Sequence, residues 1–235
     1  MFTENTPIDT VKKLVDKSLI ETDHNGSYWL HPLIQEFSYG DLKDKKEVHM
    51  LAVKYYLSLP LPKNPTKKED LQPVIEAHYH ACEAGEYDFA ADIIWRCDLP
   101  TLLDLWGNPK TLIEIYKKLL PDDHFKDEPV LKDKQTHETV LGNLGIAYSH
   151  LGEPRKVIEY YEQALKISRE IGDRRVEGTV LGNLGNAYIR LGETRKAIEF
   201  LKQSLSIGKA IEDPRIISFC EKKLKELDGT DDNEN

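Results

Sequence analysis

The sequence predicts a mainly α protein, most of it a right-handed superhelix of stacked helix pairs, entered through a segment with a small β-hairpin. Three observations carry this. LGNLGIAYSHLGEPRKVIEYYEQALKISREIGD, from Leu141, returns as LGNLGNAYIRLGETRKAIEFLKQSLSIGKAIED from Leu181, a period of 40 residues with more than half the positions identical. A period of this size marks stacked supersecondary units. Within each copy the apolar residues recur at helical spacing. Ahead of the repeats, Asn25-Gly26 sits between two short alternating runs, the strongest short-range hairpin signal.

Each copy reads as helix, short turn, longer helix. Leu141, Leu144, Tyr148 and Leu151 form one stripe, and Ile158, Tyr161, Leu165 and Ile167 to Ile171 form the next. Gly152, repeated as Gly192, separates them. Pro154 suits the first turn of the second helix, Gly172 closes that helix, and Asp173 can cap the following one. Gly145 and Gly185 lie inside helices, where glycine costs about 1 kcal/mol against alanine. They therefore predict close approach by a neighbouring helix, with Ala164 and Ser204 placed to face them. After Asp213-Pro214 one more helix follows. Lys225 stands where the glycines stood, so no further helix packs there and residues 214–228 cap the array.

These two copies, within 135–213, resemble the tetratricopeptide repeat. Its Leu-Gly, Tyr, small, aromatic, small pattern stands here as Leu144-Gly145, Tyr148, Val157, Tyr161, Ala164, and again as Leu184-Gly185, Tyr188, Ala197, Leu201, Ser204. The wording LGNLGNAY is similar to the long-helix subclass of the Leu-Gly-Asn spindle adaptors and kinesin light chains. Residues 71–134 read as worn copies of the same plan, turning at Gly85 and Gly107, and Pro60 to Glu69 supplies a linker within 60–70.

Residues 1–59 read differently. Thr6-Pro7 starts a helix, Ser18 to Asp23 and Ser27 to His31 alternate as strands, and Pro32 opens another helix. A further helix spans about Lys45 to Leu59. Helix, hairpin, helix is the second half of a winged-helix domain. Leu14-Val15, Ser18-Leu19-Ile20 and Leu30-His31-Pro32-Leu33 resemble the winged-helix subdomain of nucleotide-binding apoptosis- and resistance-type (NB-ARC, STAND) ATPases. In that family the histidine matching His31 senses the β-phosphate of ADP. No GxxxxGK[ST] phosphate loop occurs in this chain. His31 would therefore sense nucleotide only in a longer parent protein, and here it reads as a structural histidine.

The resemblance to the repeat family implies protein–protein recognition in a concave groove. The groove-lining positions are Thr139, Asn143, Ile146, Ser149 and His150 in one copy and Thr179, Asn183, Asn186, Ile189 and Arg190 in the next. Asn143 and Asn183 occupy one repeat position. Side-chain amides both donate and accept, so a ladder of them suits an extended peptide backbone. The alternative is that they satisfy neighbouring helix ends.

The remaining chemistry is sparse. His78, His80 and Cys82 cluster on one helix, but no third and fourth ligand accompany the His78/Cys82 pair that shares a face, so packing is the reading and no metal or cofactor is expected. No catalytic motif occurs, so no enzyme and no small-molecule substrate are expected. The net charge is −9, which argues against nucleic acid. The alternative function is a winged-helix DNA-binding regulator using Lys12, Lys13 and Lys17. Three widely spaced cysteines suit a reduced compartment, and no apolar run is long enough to span a bilayer. The expectation is a cytoplasmic protein with no membrane partner, ending in a disordered acidic tail at 229–235.

Overall fold

The computed structural model describes residues 20–22, 28–30, 45–121 and 127–231, and the chain divides into two compact units, 1–48 and 49–235. In the first unit, β1 (Ile20–Thr22) pairs antiparallel with β2 (Tyr28–Leu30), Ile20 opposite Leu30 and Thr22 opposite Tyr28. The helix starts at Thr6 and Pro32, the Asn25-Gly26 turn, Lys12, Lys13, Lys17 and His31 lie outside the described residues. A three-residue pairing does not make a winged helix, and that expectation gains no support.

Among the described residues of the second unit, all regular structure is helical. Helix α1 (Lys45–Ser58) is followed by a 3-10 turn at Lys68–Leu71. Four helix pairs come next. They are α2 (Gln72–Glu83) with α3 (Tyr87–Arg96), α4 (Leu99–Leu105) with α5 (Pro109–Lys117), α6 (Lys134–His150) with α7 (Pro154–Ile171), and α8 (Arg174–Arg190) with α9 (Thr194–Ala210). Helix α10 (Pro214–Asp231) is the last described helix and packs on α9 and α8. It runs three residues beyond the expected end at 228. Polar sequence alone does not stop a helix, and no proline follows Pro214.

One turn joins the helices of every pair. Gly85, Gly107, Gly152 and Gly192 have φ of 73°, 67°, 72° and 74°, a left-handed conformation that glycine adopts without a Cβ penalty. In each, the amide after the glycine reaches back to a carbonyl five residues earlier: Glu86 to Ala81, Asn108 to Leu103, Glu153 to Tyr148 and Glu193 to Tyr188, at 2.8–3.1 Å. This closure satisfies carbonyls that the helix end would leave open. The second helices of the two clean copies close the same way. Gly172 (φ 76°) and Glu212 (φ 55°) are left-handed, and the Asp173 and Asp213 amides reach back to the Ser168 and Gly208 carbonyls at 2.9 Å. Asp173 also accepts the Val176 amide as N-cap of α8 at 2.9 Å.

Packing inside the two clean copies repeats at the same period. Tyr148 stacks on Tyr160 with ring centroids 5.4 Å apart, and Tyr188 on Phe200 at 5.3 Å. The intrahelical glycines face larger residues than expected. A Cβ on Gly145 would lie 2.6 Å from the Tyr161 ring, and one on Gly185 would lie 2.7 Å from Leu201. The facing residue is thus three positions before Ala164 and Ser204, because a long side chain on the packed face reaches the gap that a small one leaves. Ser204 instead lies near Gly182 and donates to the Gly178 carbonyl at 2.6 Å.

The first two helix pairs are tied by His78, which is 2% exposed. Its Nδ1 lies 3.1 Å from the Ala90 carbonyl and its Nε2 3.1 Å from that of Ile115, linking α2 to α3 and α5. Desolvation lowers its pKa, and the same burial pushes the Cys82 thiol up to about 12. At the far end, Ile216, Cys220 and Leu227 bury α10 while Lys225 is exposed.

Gly145→Leu should destabilise the protein by about 1–3 kcal/mol through overpacking against Tyr161. Denaturant unfolding checks this, and a midpoint equal to wild type would mean that the ring moves aside freely.

Candidate binding groove

Helices α4, α6, α8 and α10 are linked one to the next, and the ten expected groove residues lie on α6 and α8. Asn143 and Asn183 are half-buried. The Asn143 amide donates to the Tyr116 hydroxyl at 3.0 Å, and the Asn183 amide donates to the Tyr161 hydroxyl at 3.1 Å. Each tyrosine sits on the second helix of the preceding pair, nine residues after its turn glycine. So the asparagines bond side chains rather than helix ends. Their second N–H and their carbonyl oxygen make no protein hydrogen bond among the described residues. Burial raises the pKa of both tyrosines, and the asparagine bond opposes that rise only in part.

Three cavities run along this stripe. The first, about 280 Å³, is bordered by Trp95, Asp98, Thr101, Asp104, Tyr116, Asn143 and Ile146. A small second one, about 30 Å³, lies among Ser149, Tyr161, Asn183, Asn186 and Arg190. The third, about 310 Å³, has a floor of Gly178, Gly182, Ser204, Ile216 and Phe219 and a rim of Arg175, Thr179, Asn183, Asp213 and Arg215. Asn143 borders the first cavity, and Asn183 borders the second and third.

The other expected residues divide. Ile146 is 42% exposed and lines the first cavity. Asn186 borders the second. Thr139 and Thr179 are exposed, but their hydroxyls donate to the Gln135 and Arg175 carbonyls of their own helices at 2.8 and 2.9 Å. As donors they are already used. His150 and Arg190, 40 residues apart, brace neighbouring first helices. His150 Nδ1 lies 3.0 Å from Asp104, and Arg190 donates to the Ser149 carbonyl at 2.9 Å.

Sequence reasoning missed the tyrosine partners and the cap rim. Both left a signal: Gly107 to Tyr116 repeats the offset Gly152 to Tyr161, and Arg175 recurs as Arg215 one period later. The copies also differ at one buried place. Glu138 in the first copy corresponds to Gly178 in the second. The residue is 1% exposed; one carboxylate oxygen accepts from Gln135 at 2.9 Å, and the other has no hydrogen-bond partner among the described residues. Burial first, and then the nearby Asp173, push its pKa up to about 7.

A family model for the tetratricopeptide repeat matches residues 136–210. Those residues are tetratricopeptide repeats. Several solved structures are similar to the chain. The N-terminal domain of stress-induced protein-1 from C. elegans is 15% identical, over 80% of this chain and 99% of that one, with a TM-score of 0.35. A signal-transduction ATPase with numerous domains and a tetratricopeptide repeat sensor, from Pyrococcus horikoshii, is 19% identical over 97% of this chain, with a TM-score of 0.33. This chain spans 44% of that protein's length. Kinesin light chain repeats from Podosopora anserina are 14% identical over 76% of this chain and 92% of that one, with a TM-score of 0.40. No curated protein matches the chain. Among the described residues, no three His, Cys, Asp or Glu side chains converge as a metal would require, and no helix is long and apolar enough to cross a membrane.

This geometry has two testable outcomes. Tyr161→Phe should lower stability by about 1 kcal/mol, and adding Asn183→Ala should cost little more. A double-mutant cycle checks this, and fully additive losses would contradict the bond. For Glu138, a carboxyl whose folded pKa is raised favours the native state below its unfolded value. That contribution is lost as pH rises through about 7. Glu138→Gln should therefore gain stability over wild type above pH 7 and lose the advantage toward pH 5; parallel stability–pH curves would contradict it.

Proposed function

We propose that this chain is a non-catalytic protein-interaction module that holds an extended segment of a partner along α4, α6, α8 and α10. The observation that carries this is the asparagine ladder. Asn143 and Asn183 are each oriented by a buried tyrosine, and each borders a cavity with an acceptor and a donor to spare. An amide fixed in this way engages backbone groups without first losing rotamer freedom, which improves affinity. Ile146 adds an exposed apolar contact beside Asn143 in the first cavity.

We also propose that the array serves as the sensor arm of a STAND-type regulator. Support comes from the segment Leu14 to Leu33, with His31 at the nucleotide-sensing position of that resemblance. Without a phosphate loop, the ATPase would have to be supplied outside this sequence. A cytoplasmic setting fits the three free thiols.

The test uses the full chain as bait, followed by titration of the purified partner. Asn143→Ala with Asn183→Ala should weaken affinity at least about tenfold, roughly 1.4 kcal/mol, with folding retained by circular dichroism. Unchanged affinity in a folded variant would remove the groove from the account.

A further inference from the structure

The charges along the groove are segregated. At the α4 end, Asp98 and Asp104 border the first cavity, and both are exposed. Asp98 forms no ion pair among the described residues, and Asp104 faces only the imidazole of His150, at 3.0 Å. At the α10 end, Arg175 and Arg215 border the third cavity and share one carboxylate, Asp213, at 3.3 and 3.4 Å. Two guanidiniums against one carboxylate leave positive charge at that rim. Farther along α10, Lys223 and Glu226 pair with each other and cancel. The same place in the first copy carries Gln135, which reaches Asp173 as Arg175 reaches Asp213. So at this repeat position positive charge enters only in the second copy and in α10. This happens within a chain whose net charge is −9.

Resting on the groove reading above, we propose that the occupant is an extended peptide segment with a basic end over Asp98 and Asp104 and an acidic end between Arg175 and Arg215. Packed helices lie about 10 Å apart, so four first helices span about 30 Å, or about nine extended residues at roughly 3.3 Å each. The third cavity also has room beside the arginines, where Ile216 and Phe219 form an apolar floor against Gly178 and Gly182. An apolar side chain next to the acidic end of the segment fills it. Complementary charges at two separated points fix direction as well as affinity.

The test uses nine-residue peptides: three lysines, Gly-Ser-Gly and three glutamates; the same blocks in reverse order; all-lysine and all-glutamate versions; and an uncharged one. Fluorescence anisotropy is read at low ionic strength, about 20 mM, where screening is weak. One block order should bind at least about fivefold tighter than its reverse and than either single-sign peptide. Arg175→Gln with Arg215→Gln adopts the residue of the first copy. Asp98→Asn with Asp104→Asn keeps a residue tolerated at the left-handed φ of 50° at position 98. Each pair of substitutions should remove most of the order preference. Equal binding of all charged peptides by wild type, a preference that survives both pairs, or no binding of any peptide would overturn the proposal. Binding that depends on the asparagines but ignores the charges sinks the polarity alone. Binding that follows the charges but ignores Asn143→Ala with Asn183→Ala lies off the ladder and sinks the groove reading.

Discussion

The close approach of helices within each clean pair, at Gly145 and Gly185, is the contact on which the rest depends. Tyr161 and Leu201 occupy the space that a Cβ would need. In the first pair this contact does two things at once. The Tyr161 ring fills the gap beside Gly145, and its hydroxyl, at the far edge, accepts from Asn183 of the next pair. One side chain thus sets the spacing within a pair and the register between pairs. Tyr116 repeats the second task for Asn143. The array holds Asn143 and Asn183 at fixed spacing because its internal packing already measures that spacing.

Leu201 cannot repeat the task, having no hydroxyl, and the next helix offers Lys223 in place of an asparagine. The ladder stops there for a chemical reason. The junction with the cap is built differently: glycines at 178 and 182, a serine at 204, and α10 laid over them with Ile216 and Phe219. The third cavity is the product of that change. In the first copy Glu138 holds the corresponding place, and burial pushes the pKa of its carboxyl up to about 7.

The repeat fold was legible in the sequence because a 40-residue period, two glycine turns and one capping aspartate all point the same way, and local signals that agree with the global plan are informative. The worn pairs at Gly85 and Gly107 were legible by the same turn chemistry, although their helices are shorter. The partners of Gly145 and Gly185 were not. Small residues suggest small neighbours, but side chains on a helix lean toward its N-terminus, and a ring reaches farther than its Cα spacing implies. The proposed groove positions form a stripe on α6 and α8 that the spacing made readable. Which of them are already engaged was not readable, since Thr139 and Thr179 bond their own helices and His150 and Arg190 bond across. Those are properties of rotamers, not of spacing.

The central claim is that the partner lies along the first helices and not on the outer face of the second. A photo-crosslinking residue placed at Ile146, on the groove stripe, or at Lys166, exposed on α7 beside Glu162, separates the two surfaces. With the purified partner bound, the account predicts a crosslink from position 146 and none from position 166. A crosslink from position 166 alone would contradict it.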